Sequence, residues 1–200
     1  MYKNFLVATA VAVAIFISGC AQPQVSYNYS DKNLLKNAGF EEFSNGKFNY
    51  WVTDGATVRH KDPKPHSGKN YLMGSKSNQK VTYTSQVVDL LKNGYSKESL
   101  DNSSMVIKFG GYQAGWKTQK DYGVIEVICQ DKNHKSIAYT QTQGFYSNHR
   151  WYQRSLIVKM PKNTRYIKYT FIAHRKNGRN NDAYLDDAFI YIGKANSIDS

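Results

Sequence analysis

Cys20 and Cys129 are the only thiols in the chain, and they stand in opposite chemical settings. Cys20 follows an apolar run from Phe5 to Ile17 and the small pair Ser18-Gly19, where a peptidase can close on the backbone. Cys129 ends the run Val124-Ile125-Glu126-Val127-Ile128-Cys129, where a cysteine behaves as a small buried hydrophobe. With Cys20 at the processing site, no internal disulfide is available to the exported chain. Catalytic signatures are missing: there is no H-E-x-x-H, G-x-S-x-G, Walker glycine loop or C-x-x-C. His60, His66, His134, His149 and His174 are scattered through predicted turns without metal spacing. A glycosidase needs two carboxylates facing across a cleft, and nothing in the pattern singles out Glu126 with Asp121 or Asp131 for that task. The chain reads as a non-enzyme.

Aromatic side chains are the more telling chemistry, with 16 Tyr, 9 Phe and 3 Trp. A sugar presents C–H groups on its face and hydroxyls on its rim, so a binding surface needs a flat ring flanked by amides or charges. The stretch Gly110-Gly111-Tyr112-Gln113-Ala114-Gly115-Trp116-Lys117 offers that combination, and Tyr122 follows closely. Tyr112, Gln113, Trp116, Lys117 and Tyr122 are the candidate ligand-binding residues, with plain loop packing of Trp116 as the alternative. Trp51 and Trp151 read as core.

These residues must be carried by strands. Short runs rich in Val, Ile, Tyr, Phe and Thr cover 80–88, 105–112, 123–130, 137–142, 151–160, 166–174 and 183–192. Turn signals separate them, among them Ser44-Asn45-Gly46, His66-Ser67-Gly68, Lys92-Asn93-Gly94 and Asn177-Gly178. Only 87–100 has room for a short helical turn. Seven or more strands without crossover helices must pair antiparallel and close as two packed sheets, which predicts an all-β sandwich. The predicted organisation is a signal segment over 1–19, Cys20 and a polar tether over 20–32, one domain over 33–194, and a tail over 195–200.

Two resemblances sharpen this reading. Ile17-Ser18-Gly19-Cys20 resembles the bacterial lipobox, which implies that Cys20 is acylated and anchors the protein to a membrane. Ala21, in place of Asp, is similar to sorting signals that imply outer-membrane delivery. The domain itself resembles the galactose-binding-like jelly roll of family 4, 9 and 22 carbohydrate-binding modules. The segments that carry this are Asn33-Leu34-Leu35-Lys36-Asn37-Ala38-Gly39-Phe40-Glu41, then Trp51, His66-Ser67-Gly68-Lys69-Asn70-Tyr71-Leu72, Trp151-Tyr152-Gln153-Arg154 and Ala183-Tyr184-Leu185-Asp186-Asp187-Ala188. The resemblance implies a jelly-roll β-sandwich and a structural calcium held by Glu41 and Asp186, with carbonyls near Gly39 and Lys69 completing the shell and Asp187 as the spare carboxylate. A pairing of Glu41 and Asp186 with Lys or Arg is the alternative.

The formal net charge is +12, and removal of residues 1–19 takes only Lys3 with it, leaving +11. Such a surplus favours anionic partners, such as lipid headgroups or acidic polysaccharide. Export argues against nucleic acid. The basic stretch His174-Arg175-Lys176-Asn177-Gly178-Arg179-Asn180-Asn181 reads as a solvated loop, with a polyanion surface as the alternative. The function that the jelly-roll resemblance implies is carbohydrate binding by a lipid-anchored, non-catalytic domain; the alternative is a structural or host-interaction lipoprotein that uses the sandwich for protein contacts.

Overall fold

The computed structural model describes residues 26–102 and 104–195. The signal segment, Cys20 and the end of the tail lie outside them. Thirteen strands and one helix succeed one another: β1 (Tyr27–Tyr29), β2 (Phe43–Ser44), β3 (Lys47–Phe48), β4 (Val52–Thr53), β5 (Thr57–Arg59), β6 (Tyr71–Ser75), β7 (Val81–Asp89), α1 (Lys97–Asp101), β8 (Met105–Ala114), β9 (Tyr122–Gln130), β10 (Ser136–Gln141), β11 (Tyr152–Lys159), β12 (Tyr166–His174) and β13 (Asn181–Ala195). Two sheets result. The first runs β11-β8-β13-β6-β5 with β1 added beside β13, and the second runs β10-β9-β12-β7-β4. All pairings are antiparallel.

Alternation decides what lies between the sheets. In β7, Thr82, Thr84, Gln86 and Val88 are buried while Tyr83 and Val87 are exposed, as a period of two requires. Ile107 and Phe109 of β8 meet Ile125 and Val127 of β9, Ile167, Tyr169 and Phe171 of β12, and Leu185, Ile190 and Ile192 of β13 in one core. Glycine makes one crossing possible. A side chain at Gly123 would stand 2.3 Å from the Phe171 ring and 2.8 Å from Gln113 Oε1, so only glycine admits both.

The opening motif is a fastening device. Asn33 Nδ2 donates to Ala188 O (2.9 Å) while its Oδ1 accepts from Leu35 N and Ile190 N, both 3.1 Å, which ties the first segment to a register shift in β13. Asn37, at φ 47°, donates to Glu42 O and Asn49 O. Trp51 is core, as its position predicts. It packs 5.2 Å from Phe40 and 5.7 Å from Tyr169, and its Nε1 donates to Asn37 O. Trp151 differs: it leaves the main core, packs at 5.2 Å on Tyr71 outside the first sheet, and donates from Nε1 to Lys64 O. The tether is also shorter than its polarity suggests. Tyr27, Asn28 and Tyr29 pair with Ala195, Lys194 and Gly193, and the Tyr29 ring lies over the bare Cα of Gly193.

Candidate functional site

The five candidate ligand residues do not form one constellation. Gln113 points inward, 1% exposed, and neither Nε2 nor Oε1 has a hydrogen-bond partner. Strand alternation accounts for the split, since neighbouring residues of β8 face opposite sides. Tyr112 faces outward, capped by the His66 ring at 3.5 Å and 18°. Trp116 is half-buried beyond the end of β8. Arg59 lies 4.8 Å and Lys117 5.0 Å from its ring centre, and His149 meets it edge-on at 4.7 Å. Beneath Arg59 sits Asp182, whose carboxyl burial pushes above the usual carboxylate range, while the Tyr184 hydroxyl (2.7 Å) and Arg59 (3.7 Å) restrain it. This aromatic cluster is a second small core that locks the sheet end.

Tyr122 belongs elsewhere, to the outer face of the five-stranded sheet, where it stacks on His174 at 4.5 Å and 9°. Strand register arranges that face in rows. Tyr139, Ile128, Lys168 and Val87 form one row; Gln141, Glu126, Thr170, Ser85 and Val52 form the next. Val124, Ile172 and Tyr83 follow, and then Tyr122, His174 and Val81. Tyr139 is 58% and Tyr83 50% exposed, unusual for rings borne by sheet strands rather than loops. At ~4.8 Å per strand the first row spans about 14 Å, and rows lie ~6.8 Å apart, so the face can lie along several sugar rings. Glu126, Gln141 and Lys168 lie on the same face in the rows of the tyrosines or between them. Burial, with Lys176 nearby, lowers the His174 pKa below the ordinary histidine value, so the ring is neutral at physiological pH. The signal for this face was present in the alternation of Tyr83, Ser85 and Val87, which reads equally as an ordinary solvated sheet face.

Other chemistry resolves into structural roles. Asp121 is 1% exposed and accepts from the N–H groups of Lys176 (2.6 Å), Asn177 (2.9 Å) and Asp182 (2.8 Å), which leaves it no substrate-facing oxygen. Asp131 caps its own turn, where N–H groups of Lys135 and Asn133 hold its carboxyl below the usual range. Cys129 is buried and its thiol is pushed up to about 11, which makes it a poor nucleophile.

Glu41 and Asp186 bind opposite halves of the His66–Asn70 turn. Asp186 Oδ2 accepts from His66 N (2.9 Å) and Ser67 N (3.2 Å), and Glu41 Oε1 from Lys69 N (2.9 Å) and Asn70 N (3.0 Å). Asp187 takes the Ser67 hydroxyl at 2.7 Å and the His66 Nδ1 proton at 2.6 Å. Among the described residues neither Glu41 nor Asp186 forms an ion pair with Lys or Arg. No trio of His, Cys, Asp and Glu side chains is arranged to hold a metal among them either. Both side chains offer oxygen alone, the donor type a hard cation takes, although in this structure those oxygens are met by main-chain N–H groups. A Cβ at Gly39 would sit 3.4 Å from Asp187 Oδ1 and 3.8 Å from Asp186 Oδ1, so the backbone closes on these oxygens. Burial and the Asp187 charge push Asp186 up to about 7, against the pull of the Ser67, Asp187 and His66 N–H groups.

No family model and no curated protein matches the chain. Solved structures share its fold. The enzymatically active domain of bacteriophage CBA120 tailspike protein 4 aligns with TM-score 0.57 at 10% identity over 82% of this chain, which spans only 21% of that one. The module TmCBM61, solved in complex with beta-1,4-galactotriose, aligns with TM-score 0.51 and 21% identity over 80% of this chain and 97% of its own. The CBM22-1 xylan-binding domain from Paenibacillus barcinonensis aligns with TM-score 0.50 and 17% identity over 82% and 97%. At these identities the likeness is one of fold. The chain is a jelly-roll β-sandwich of the architecture used by carbohydrate-binding modules.

Proposed function

We propose that this protein is a lipid-anchored, non-catalytic lipoprotein that binds carbohydrate on the outer face of its five-stranded sheet. The observation that carries the sugar reading is the pair of half-exposed strand tyrosines, Tyr83 and Tyr139, with Glu126, Gln141 and Lys168 in register between them. Rings held by strands are pre-organised, so little side-chain entropy is lost on binding. The fold shared with a galactotriose-binding module and a xylan-binding domain supports the same class of ligand. Cys20 carries the anchor, and Ala21 sends the product to the outer membrane. Glu41 and Asp186, with carbonyls near Gly39 and Lys69, would hold a calcium, which would supply positive charge to the buried Asp186 and the exposed Glu41 and link the first segment to the last strand. A glycan array on the purified chain tests the reading, with Tyr83→Ala and Tyr139→Ala as controls. Retention of neutral β-linked glycans by the parent and its loss in both variants is expected. Equal retention by all three would remove the site from this face.

A further inference from the structure

Three loops meet at the end of the sandwich where β13 begins: 76–80, 115–121 and 175–180. Two anchors fasten them, the half-buried Arg175 and the buried Asp121. Arg175 donates to Asn78 O (3.0 Å), Gln79 O (3.4 Å) and Gly178 O (2.5 Å), and its own N–H donates to Lys80 O (2.8 Å). Asp121 gathers the N–H groups of Lys176, Asn177 and Asp182, while Asn177 Oδ1 accepts from Lys120 N at 3.0 Å. What this scaffold presents is positive charge alone. Lys76, Lys80, Lys117, Lys120, Lys176 and Arg179 are all exposed, whereas the only acid of the three loops, Asp121, and the first acid on the strand side, Asp182, are buried. Asp54, exposed and joined to this end where Gln79 Nε2 donates to its carbonyl, offsets only part of that charge, and a polyanion relieves the repulsion among the rest.

We infer that this end binds an acidic polysaccharide, one whose sugars carry carboxylate or sulfate groups. The sugar part of this inference rests on the carbohydrate reading above; the charge requirement is separate from it. Two observations select the glycan over other polyanions. Nucleic acid binding needs open rings on which bases stack, and here His174 covers Tyr122 while Arg59 and Lys117 lie over Trp116. On the anchored reading above, the N-terminal segment joins the domain at β1, at the other end. β13 runs 15 residues away from this tip to Ala195, where the N-terminal strand Tyr27–Tyr29 pairs, a separation of roughly 45 Å at the strand rise. The row Tyr122, His174 and Val81 is the border between the tip and the sheet face, so one chain can cross from rings to cations.

The test is affinity electrophoresis of the full chain in gels carrying polygalacturonate, neutral xylan or no polymer, at low and high salt. Two triple variants remove the same charge from opposite ends: Lys120→Gln/Lys176→Gln/Arg179→Gln at the tip, and Lys132→Gln/Lys159→Gln/Lys162→Gln at the other. The parent should be retarded by polygalacturonate in a salt-sensitive way. The tip triple should weaken this about tenfold or more and the opposite triple should not. Neutral xylan retention, carried by Tyr83 and Tyr139, should survive the tip triple, which separates failure of this proposal from failure of the sheet reading. Equal weakening by both triples would reduce the effect to net charge and overturn the proposal. So would absence of retardation, or tighter binding of a single-stranded oligonucleotide that competes with the polymer.

Discussion

Glu41 and Asp186, from opposite ends of the domain, grip the two halves of one turn: Asp186 Oδ2 takes the N–H groups of His66 and Ser67, and Glu41 Oε1 those of Lys69 and Asn70. Four main-chain donors that would otherwise lack partners are satisfied by two carboxylates, and β13 is thereby tied to the opening segment. Asp186 is fully buried, so Asp186→Ala strands three donors, that of Asp187 included, and should cost about 3 kcal/mol. Glu41→Ala, on the exposed side, should cost about 1 kcal/mol. Urea melts of both variants measure the difference, and a milder effect for Asp186 than for Glu41 would contradict the clamp.

The calcium proposal makes a separable claim about the same residues. A ligand bound only by the folded state raises its stability by mass action. Chelation should lower the melting temperature of the parent, and Glu41→Gln should remove that sensitivity. A melt indifferent to both chelator and added calcium would leave these carboxylates only their main-chain bonds.

The strands were legible along the chain because β7, β8, β9, β11 and β12 alternate or run long with β-branched residues, and the room left for one short helical turn within 87–100 is taken up by α1, which ends one residue beyond it at Asp101. The short strands β1 to β5 were not, since two or three residues carry no period. The ligand residues were read from a contiguous stretch, but contiguity in a strand means opposite faces, and that sent Tyr112 and Gln113 apart. Tyr83 and Tyr139 lie on strands that are neighbours only through the sheet order β10-β9-β12-β7, a relationship without a local sequence signal.

Gln113 offers a test of that separation. Its amide lies between the sheets without a hydrogen-bond partner, so Gln113→Met, close in volume, should stabilise the fold by about 1–2 kcal/mol. Glycan retention should be unchanged. Lost binding with an intact fold would return Gln113 to a ligand role.

The pH response of His174 follows from its surroundings. Burial first, then the Lys176 charge, lowers its folded pKa, while the unfolded chain protonates near the ordinary value of 6.5. The unfolded state therefore binds more protons between the two values, so the contribution of His174 is complete above about pH 6.5 and is lost as pH falls through its folded pKa. The imidazole resonance should titrate below that of a free histidine, and Lys176→Gln should move it upward. A midpoint at or above the ordinary value would contradict both causes.

The anchor is testable apart from the domain. Cys20 is the one cysteine beside a peptidase-like site, because Cys129 is buried inside the sandwich and cannot be reached by an acylating enzyme. Two or more acyl chains hold a protein on a membrane where one gives only marginal binding, so acylation at a single residue accounts for stable attachment without a spanning helix. Cys20→Ala should leave an unprocessed or soluble product, and the parent should incorporate labelled palmitate. A Cys20→Ala variant that is still cleaved before residue 20 and still partitions with membranes would mean that another contact, such as the basic surface, holds the protein there.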